Sequence, residues 1–281
     1  MALGRHDIVV NVPSQYMNNE FDVIGDQQCR LGEGLCISSD GDYLAWVDIE
    51  ESTLYVFDRL RRTFATLKLP VIPSKVLTVF RGSLNLLTDR GVLEVSLPGL
   101  EQKWLHCWGD LFSSAGLRTN DAVQRKDSLI FGVMAKAQMD GKGAIYELRN
   151  GSLNFIDDCE IPNTFIELPD GVLITDSSQK KIYKYSIDLE SKALWLNGEK
   201  DSFIPDGGVL LTSGNILIAA WGTSRLVELT VEGQKVVDYP LPMKFPTSCV
   251  QFENRLYISS AAEIGDDSFY AGKTISIELS L

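Results

Sequence analysis

The strongest constraint on this chain is an interval. Short apolar runs recur at residues 43–49, 83–87, 128–133, 172–176, 215–220 and 255–259. Leu44, Leu84, Leu129, Val172, Ile216 and Leu256 take equivalent places in them, at spacings of 40, 45, 43, 44 and 40. A turn precedes each run, often Asp-Gly as at Asp40-Gly41 and Asp170-Gly171, or Ser-Gly as at Ser213-Gly214. Further runs rich in Val, Ile, Leu, Tyr and Thr follow, which is strand composition. No stretch of ten or more residues carries a helical apolar period. Six units of about 42 residues, each with four short strands, predict an all-β, six-bladed β-propeller. A β-sandwich also strings short strands together, but nothing in it requires a constant interval.

The last unit has only three strands of its own, ending at residues 274–279. Residues 20–26 are the natural source of the fourth, so the ring is expected to close by an N-terminal strand joining the C-terminal blade, removing an open sheet edge. We expect one propeller domain over residues 20–281, with residues 1–19 as an extension.

Composition narrows the function. Asp and Glu number 38 against 26 Lys and Arg, a net charge of -12, which disfavours nucleic acid and anionic membrane as partners. No apolar run is long enough to span a bilayer. The five cysteines show no C-x-x-C spacing, so free thiols and a cytoplasmic location are expected. With two histidines, His6 and His106, multi-histidine zinc sites are nearly excluded. No Gly-x-Ser-x-Gly or phosphate-binding Gly-rich loop occurs.

A propeller directs the start of each innermost strand at a central channel. Glu33, Asn120, Asn163 and Asp206 stand nine to eleven positions before the anchor residues of their units, where the other two units offer Ser74 and Thr247. Two carboxylates and two amide oxygens suit a hard divalent cation. Asn and Asp also favour turns and strand ends, and for any one of these residues that reading stays open.

The local sequences resemble the gluconolactonase/regucalcin (senescence marker protein) family of six-bladed propellers. The resemblance rests on Leu31-Gly32-Glu33-Gly34 with Ala45-Trp46-Val47-Asp48-Ile49, Arg118-Thr119-Asn120-Asp121 with Gly132-Val133-Met134, and Gly143-Ala144-Ile145-Tyr146. It continues through Ile161-Pro162-Asn163, Thr175-Asp176-Ser177, Ile204-Pro205-Asp206-Gly207, Thr247-Ser248-Cys249 and Leu256-Tyr257-Ile258-Ser259-Ser260, in order over residues 20–279. It implies a metal-dependent hydrolase that opens the cyclic ester of a sugar acid. Glu33, Asn163 and Asp206 would hold one divalent ion (calcium, zinc, magnesium or manganese), Asp206 would also be the general base, and Arg118 and Asn120 would contact substrate. Alternative readings are a phosphotriester or fluorophosphate hydrolase at the same metal, and a non-enzymatic calcium-binding propeller. A sugar lactone is the expected partner, with the chain a monomer or homodimer.

The sequence departs from the family pattern in places. Asn120 is followed by Asp121-Ala122 and Asn163 by Thr164, where the family usually has glycine after the asparagine. Thr164 is therefore expected to crowd the channel or restrict the turn. Gly34-Leu35 replaces a Pro or Cys-Pro step, and Ala137 stands where some members carry an acid. Residues 138–142 are expected to form either a lid or a long hairpin loop.

Overall fold

Each repeat folds into a four-stranded antiparallel sheet with its strands in chain order, as seen in the computed structural model, which describes residues 21–80, 82–97, 99–136, 142–199 and 202–279. The expected extension 1–19, Ala137 and residues 138–141 of the expected lid lie outside the described residues. Blade 1 covers 32–68, blade 2 73–107, blade 3 117–158, blade 4 162–197 and blade 5 204–240. Blade 6 runs from 246 to 278 and takes its outermost strand, Asp22–Val23, from the N-terminal side. Asp22 pairs with Ser276 and Val23 with Ile275, so the ring closes as expected, through a shorter strand than the 20–26 read from sequence. Arg255 fastens the closure by an ion pair to Asp22 at 2.6 Å and a hydrogen bond to Ser276 Oγ at 2.7 Å.

The repeat interval has a packing cause. Both faces of every sheet are covered by neighbouring blades, so alternate residues of one strand enter two different cores. Ile130 packs with blade 4 residues such as Val172 and Ile174. Phe131, the next residue, packs with Leu87 and Val92 of blade 2. In blade 5, Ile216 and Ile218 face blade 4, while Leu217 and Ala219 face blade 6. Burial on both faces explains why Ser128–Ala135 is buried throughout and why the second strands read as continuous apolar runs rather than alternating ones. A fully buried Leu or Ile contributes about 1.5–3 kcal/mol relative to exposure, repeated at six interfaces.

The innermost strands are Gly32–Ile37, Pro73–Phe80, Leu117–Gln124, Pro162–Leu168, Ile204–Leu210 and Pro246–Phe252. Each has a β-bulge near its start. Pairing breaks between Glu33 and Cys36, Pro73 and Lys75, Thr119 and Ala122, Asn163 and Ile166, Pro205 and Gly208, and Pro246 and Ser248. A bulge bends the strand and re-aims its side chains. Proline is tolerated at Pro73, Pro162, Pro205 and Pro246 because an innermost strand is an edge strand. One residue per blade lies at the last pair before that break or just past it: Glu33, Ser74, Asn120, Asn163, Asp206 and Thr247. A second ring follows it: Gly34, Lys75, Asp121, Thr164, Gly207 and Ser248.

The second ring ties each blade to the next. A Cβ on Gly34 would lie 2.7 Å from Lys75 Cα, and one on Gly207 2.7 Å from the Thr247 carbonyl, so glycine permits direct backbone approach there. Thr164 does the same work by bonding. It is fully buried, takes a left-handed φ of 53°, and its hydroxyl donates to the Asp206 carbonyl of blade 5. Its side chain thus faces the neighbouring blade, which corrects the expectation that it crowds the channel. Thr164→Val should strand the Asp206 carbonyl and destabilise by about 1–3 kcal/mol. Thr164→Gly should cost less, because glycine adopts that φ freely. Denaturant unfolding of the two variants measures the difference.

Candidate active site

Four members of the first ring, Glu33, Asn120, Asn163 and Asp206, line a cavity of about 570 Å³. Glu33, Arg118, Asn120, Asn163 and Asp206 line it, so the residues singled out from sequence share one chamber. Leu31, Ile49, Ile72, Ile161 and Ile204 form much of its wall, with Trp221 on one side. Trp221 packs on Phe245 at 5.0 Å between ring centroids, which steadies an indole facing the chamber. Lys136, Lys180, Glu50 and Glu263 also line it.

The amides are held in fixed orientations. Asn120 Nδ2 donates to Asn163 Oδ1 at 2.7 Å and to the Pro162 carbonyl at 3.0 Å. Asn163 Nδ2 donates to Ser177 Oγ at 3.0 Å, and that hydroxyl donates to the Pro205 carbonyl at 2.6 Å. Arg118 Nη1 donates to Asn120 Oδ1 at 2.5 Å and to the Thr119 carbonyl at 2.9 Å. Every amide group is thereby committed, with the Asn163 oxygen turned to the same side as Asn120.

The carboxylates are under electrostatic pressure. Burial, and next the charge of Asp121, push Glu33 up to about 7, although the Gly34 N–H donates to it at 2.9 Å. Burial, then Glu33 and Asp121, push Asp206 well above the usual carboxylate range. Burial draws the Arg118 guanidinium below its ordinary value, against the opposing pull of Glu33 and Asp206. Two buried acids facing each other repel unless a proton or a cation intervenes. Among the described residues no three His, Cys, Asp or Glu side chains gather in ligating range. A cation there would therefore need amide oxygen beside Glu33 and Asp206, and the second lone pair of Asn163 Oδ1, beside its bond from Asn120, could supply it. This all-oxygen set fits a hard divalent ion and not a thiophilic one.

That pressure fixes a pH dependence. Folded Glu33 keeps its proton up to about pH 7, against 4.5 for the unperturbed side chain. Between those values the folded chain binds the extra proton, so this contribution to stability is present in full below pH 4.5 and is lost as pH rises through 7. In chelator, the melting temperature should fall from pH 5 to pH 8, and Glu33→Gln should flatten part of that fall. A melting temperature that rises over the range would contradict the assignment.

Two residues next to the first ring escaped the sequence reading. Asp121 and Lys75 form an ion pair at 2.9 Å, with side chains 9% and 16% exposed. Each follows a first-ring residue directly, Asn120 and Ser74, and Asp121 also stands where the family usually has glycine, but neither was given a role from sequence. Other acids of the matched motifs serve structure. Asp48 accepts from the N–H groups of Arg30 and Leu31, and Asp176 from those of Glu160 and Ile161, fixing the chain as it enters the innermost strands of blades 1 and 4. Trp46 is buried, whereas Trp104 is 40% exposed on an outer strand. The five cysteines are free, as expected.

Comparison with known proteins agrees with this architecture. The chain is 26% identical over 266 residues to the pentonolactonase XacC of Haloferax volcanii, covering 86% of each protein. The structure superposes on the calcium-binding protein regucalcin of Agrobacterium tumefaciens with a TM-score of 0.83 at 21% identity, covering 92% of this chain and 94% of that one. A gluconolactonase of Xanthomonas campestris gives a TM-score of 0.71 at 16% identity, with 92% and 89% covered. At those identities the two structures establish the fold alone. The family model described as the SMP-30/Gluconolactonase/LRE-like region matches residues 31–262, and the chain belongs to that family.

Proposed function

We propose that this protein is a divalent-metal-dependent sugar-lactone hydrolase, acting on an aldonolactone in the chamber. The observation that carries this reading is the convergence of Glu33, Asn163 and Asp206 beside the Arg118–Asn120 pair in one cavity. Lactonase names among its relatives support the substrate class.

Glu33, Asn163 and Asp206 would hold the ion. When bound, it would polarise the lactone carbonyl and favour the charge that builds on the carbonyl oxygen. The rest falls to the chain. Asp206 takes the proton of the attacking water as the new C–O bond forms, and returns it to the ring oxygen as the ester bond breaks. Arg118 offers its remaining guanidinium donors to substrate oxygens, with the orientation of the fork set by its bond to Asn120. Trp221 gives an apolar face for the C–H side of a sugar ring, and the aliphatic wall limits water around the reacting ester.

The test is hydrolysis of five- and six-membered aldonolactones by chelated protein reloaded with calcium, magnesium, manganese or zinc, corrected for spontaneous opening. Turnover lost on chelation and regained with one metal is the expected result. Faster turnover of an activated phosphotriester would replace the lactone by that substrate. Metal uptake without turnover on any substrate would leave a cation-binding propeller.

A further inference from the structure

We propose that Lys75 is an internal counter-cation of the channel, which through its ion pair with Asp121 sets how tightly the first ring binds a divalent ion. The inference rests on the metal-centre reading above.

The placement comes from the register. In the second ring only blades 2 and 3 present charges, Lys75 and Asp121, and they pair across the blade boundary at 2.9 Å. None of the second ring lines the chamber, so the pair lies beyond the oxygen donors and away from substrate. Gly34 brings it close. With no side chain of its own, that residue lets the backbone beside Glu33 pack on Ser74, Lys75 and Val76. Asp121 is held from three sides: by Lys75, by its own Ala122 N–H at 2.8 Å, and by the Phe165 N–H of blade 4 at 3.3 Å. It cannot swing towards the first ring without giving these up.

The electrostatics follow. Asp121 acts on both Glu33 and Asp206, and Lys75 acts on Glu33 in the opposite sense. Burial draws the Lys75 ammonium down, but Asp121 and Glu33 more than reverse this, so it stays charged. Arg118 alone would leave two of the three acids, Glu33, Asp121 and Asp206, uncompensated, and Lys75 removes one unit of that excess. A fixed positive charge there opposes any second positive charge arriving at Glu33. Lys75 is a positioning residue, touching neither substrate nor ion.

The test is titration of calcium alone into chelator-stripped protein at pH 8, read as the dissociation constant. Lys75→Met should tighten calcium at least about tenfold, and Lys75→Arg should stay near the unsubstituted protein, because it keeps the charge. Asp121→Asn should weaken calcium at least about tenfold. The double variant Lys75→Met/Asp121→Asn should return to within about threefold of the starting value, as a charge cycle requires. If Lys75→Met and Lys75→Arg weaken calcium alike, the lysine is merely structural and the proposal is overturned. If Lys75→Met does not fold, an unchanged affinity in Asp121→Asn overturns it instead. Unsubstituted protein that takes up no calcium, magnesium, manganese or zinc overturns the metal-centre reading itself, a separate result.

Discussion

Asp206→Ala should abolish divalent-ion uptake and lower kcat/KM for an aldonolactone by at least about a thousandfold. Asp206 supplies one of the two first-ring carboxylates that line the chamber, and among the described residues no third acid joins them in ligating range. Its removal leaves Glu33 and amide oxygen, too little negative charge to strip water from a hard cation. The same change deletes the base, and positioned acid–base groups contribute about 10²–10⁴ in rate. Asp206→Asn separates the two roles, because the amide keeps an oxygen donor and cannot accept the proton. It should retain weakened ion binding and still lose turnover. Equilibrium dialysis and a pH-stat assay read both quantities. Full turnover in Asp206→Ala would place the chemistry elsewhere.

Arg118→Ala should show the opposite pattern, with the ion retained and turnover reduced about a hundredfold. Arg118 donates to Asn120 Oδ1, and Asn120 donates to Asn163 Oδ1, so the guanidinium orders a chain of amides ending at the proposed ligand Asn163. It also restrains the proton affinity of Asp206 and, after Lys75, that of Glu33. Its loss should therefore move the acidic limb of the pH–activity profile upward, because both acids then need a higher pH to ionise. Arg118→Lys should restore that limb better than it restores turnover, since a point charge replaces the charge but not the planar fork. Equal loss of ion and activity would make Arg118 a structural residue of the donor ring.

The architecture was legible because its cause is local and repeated. Every blade must cover both faces, so every blade carries a near-continuous apolar second strand at a fixed interval, and six of these appear in the chain. Closure was legible from a missing strand. The first ring was legible too, because Glu33, Asn120, Asn163 and Asp206 sit at one phase of that interval. Of the two expectations for Thr164, the restricted turn agrees with its left-handed φ of 53° and the crowded channel does not hold. As a substitution for glycine in a narrow channel it looked like an obstruction, but the bulge after Asn163 turns the side chain sideways, where its hydroxyl meets the carbonyl of Asp206.

The periodic spacing of apolar and polar residues was therefore enough to specify six blades, their order, the closing strand and the polar residues that meet at one chamber, because those depend on properties that recur in every repeat. The pairing of Lys75 with Asp121, the relay from Arg118 through two asparagines to Ser177, and the raised proton affinities of Glu33 and Asp206 required the folded ring. Each depends on which blades become neighbours and on how far a bulge rotates one side chain. Charge energies at that range change steeply with distance and with the exclusion of water, and neither quantity exists until the six sheets have closed around the channel.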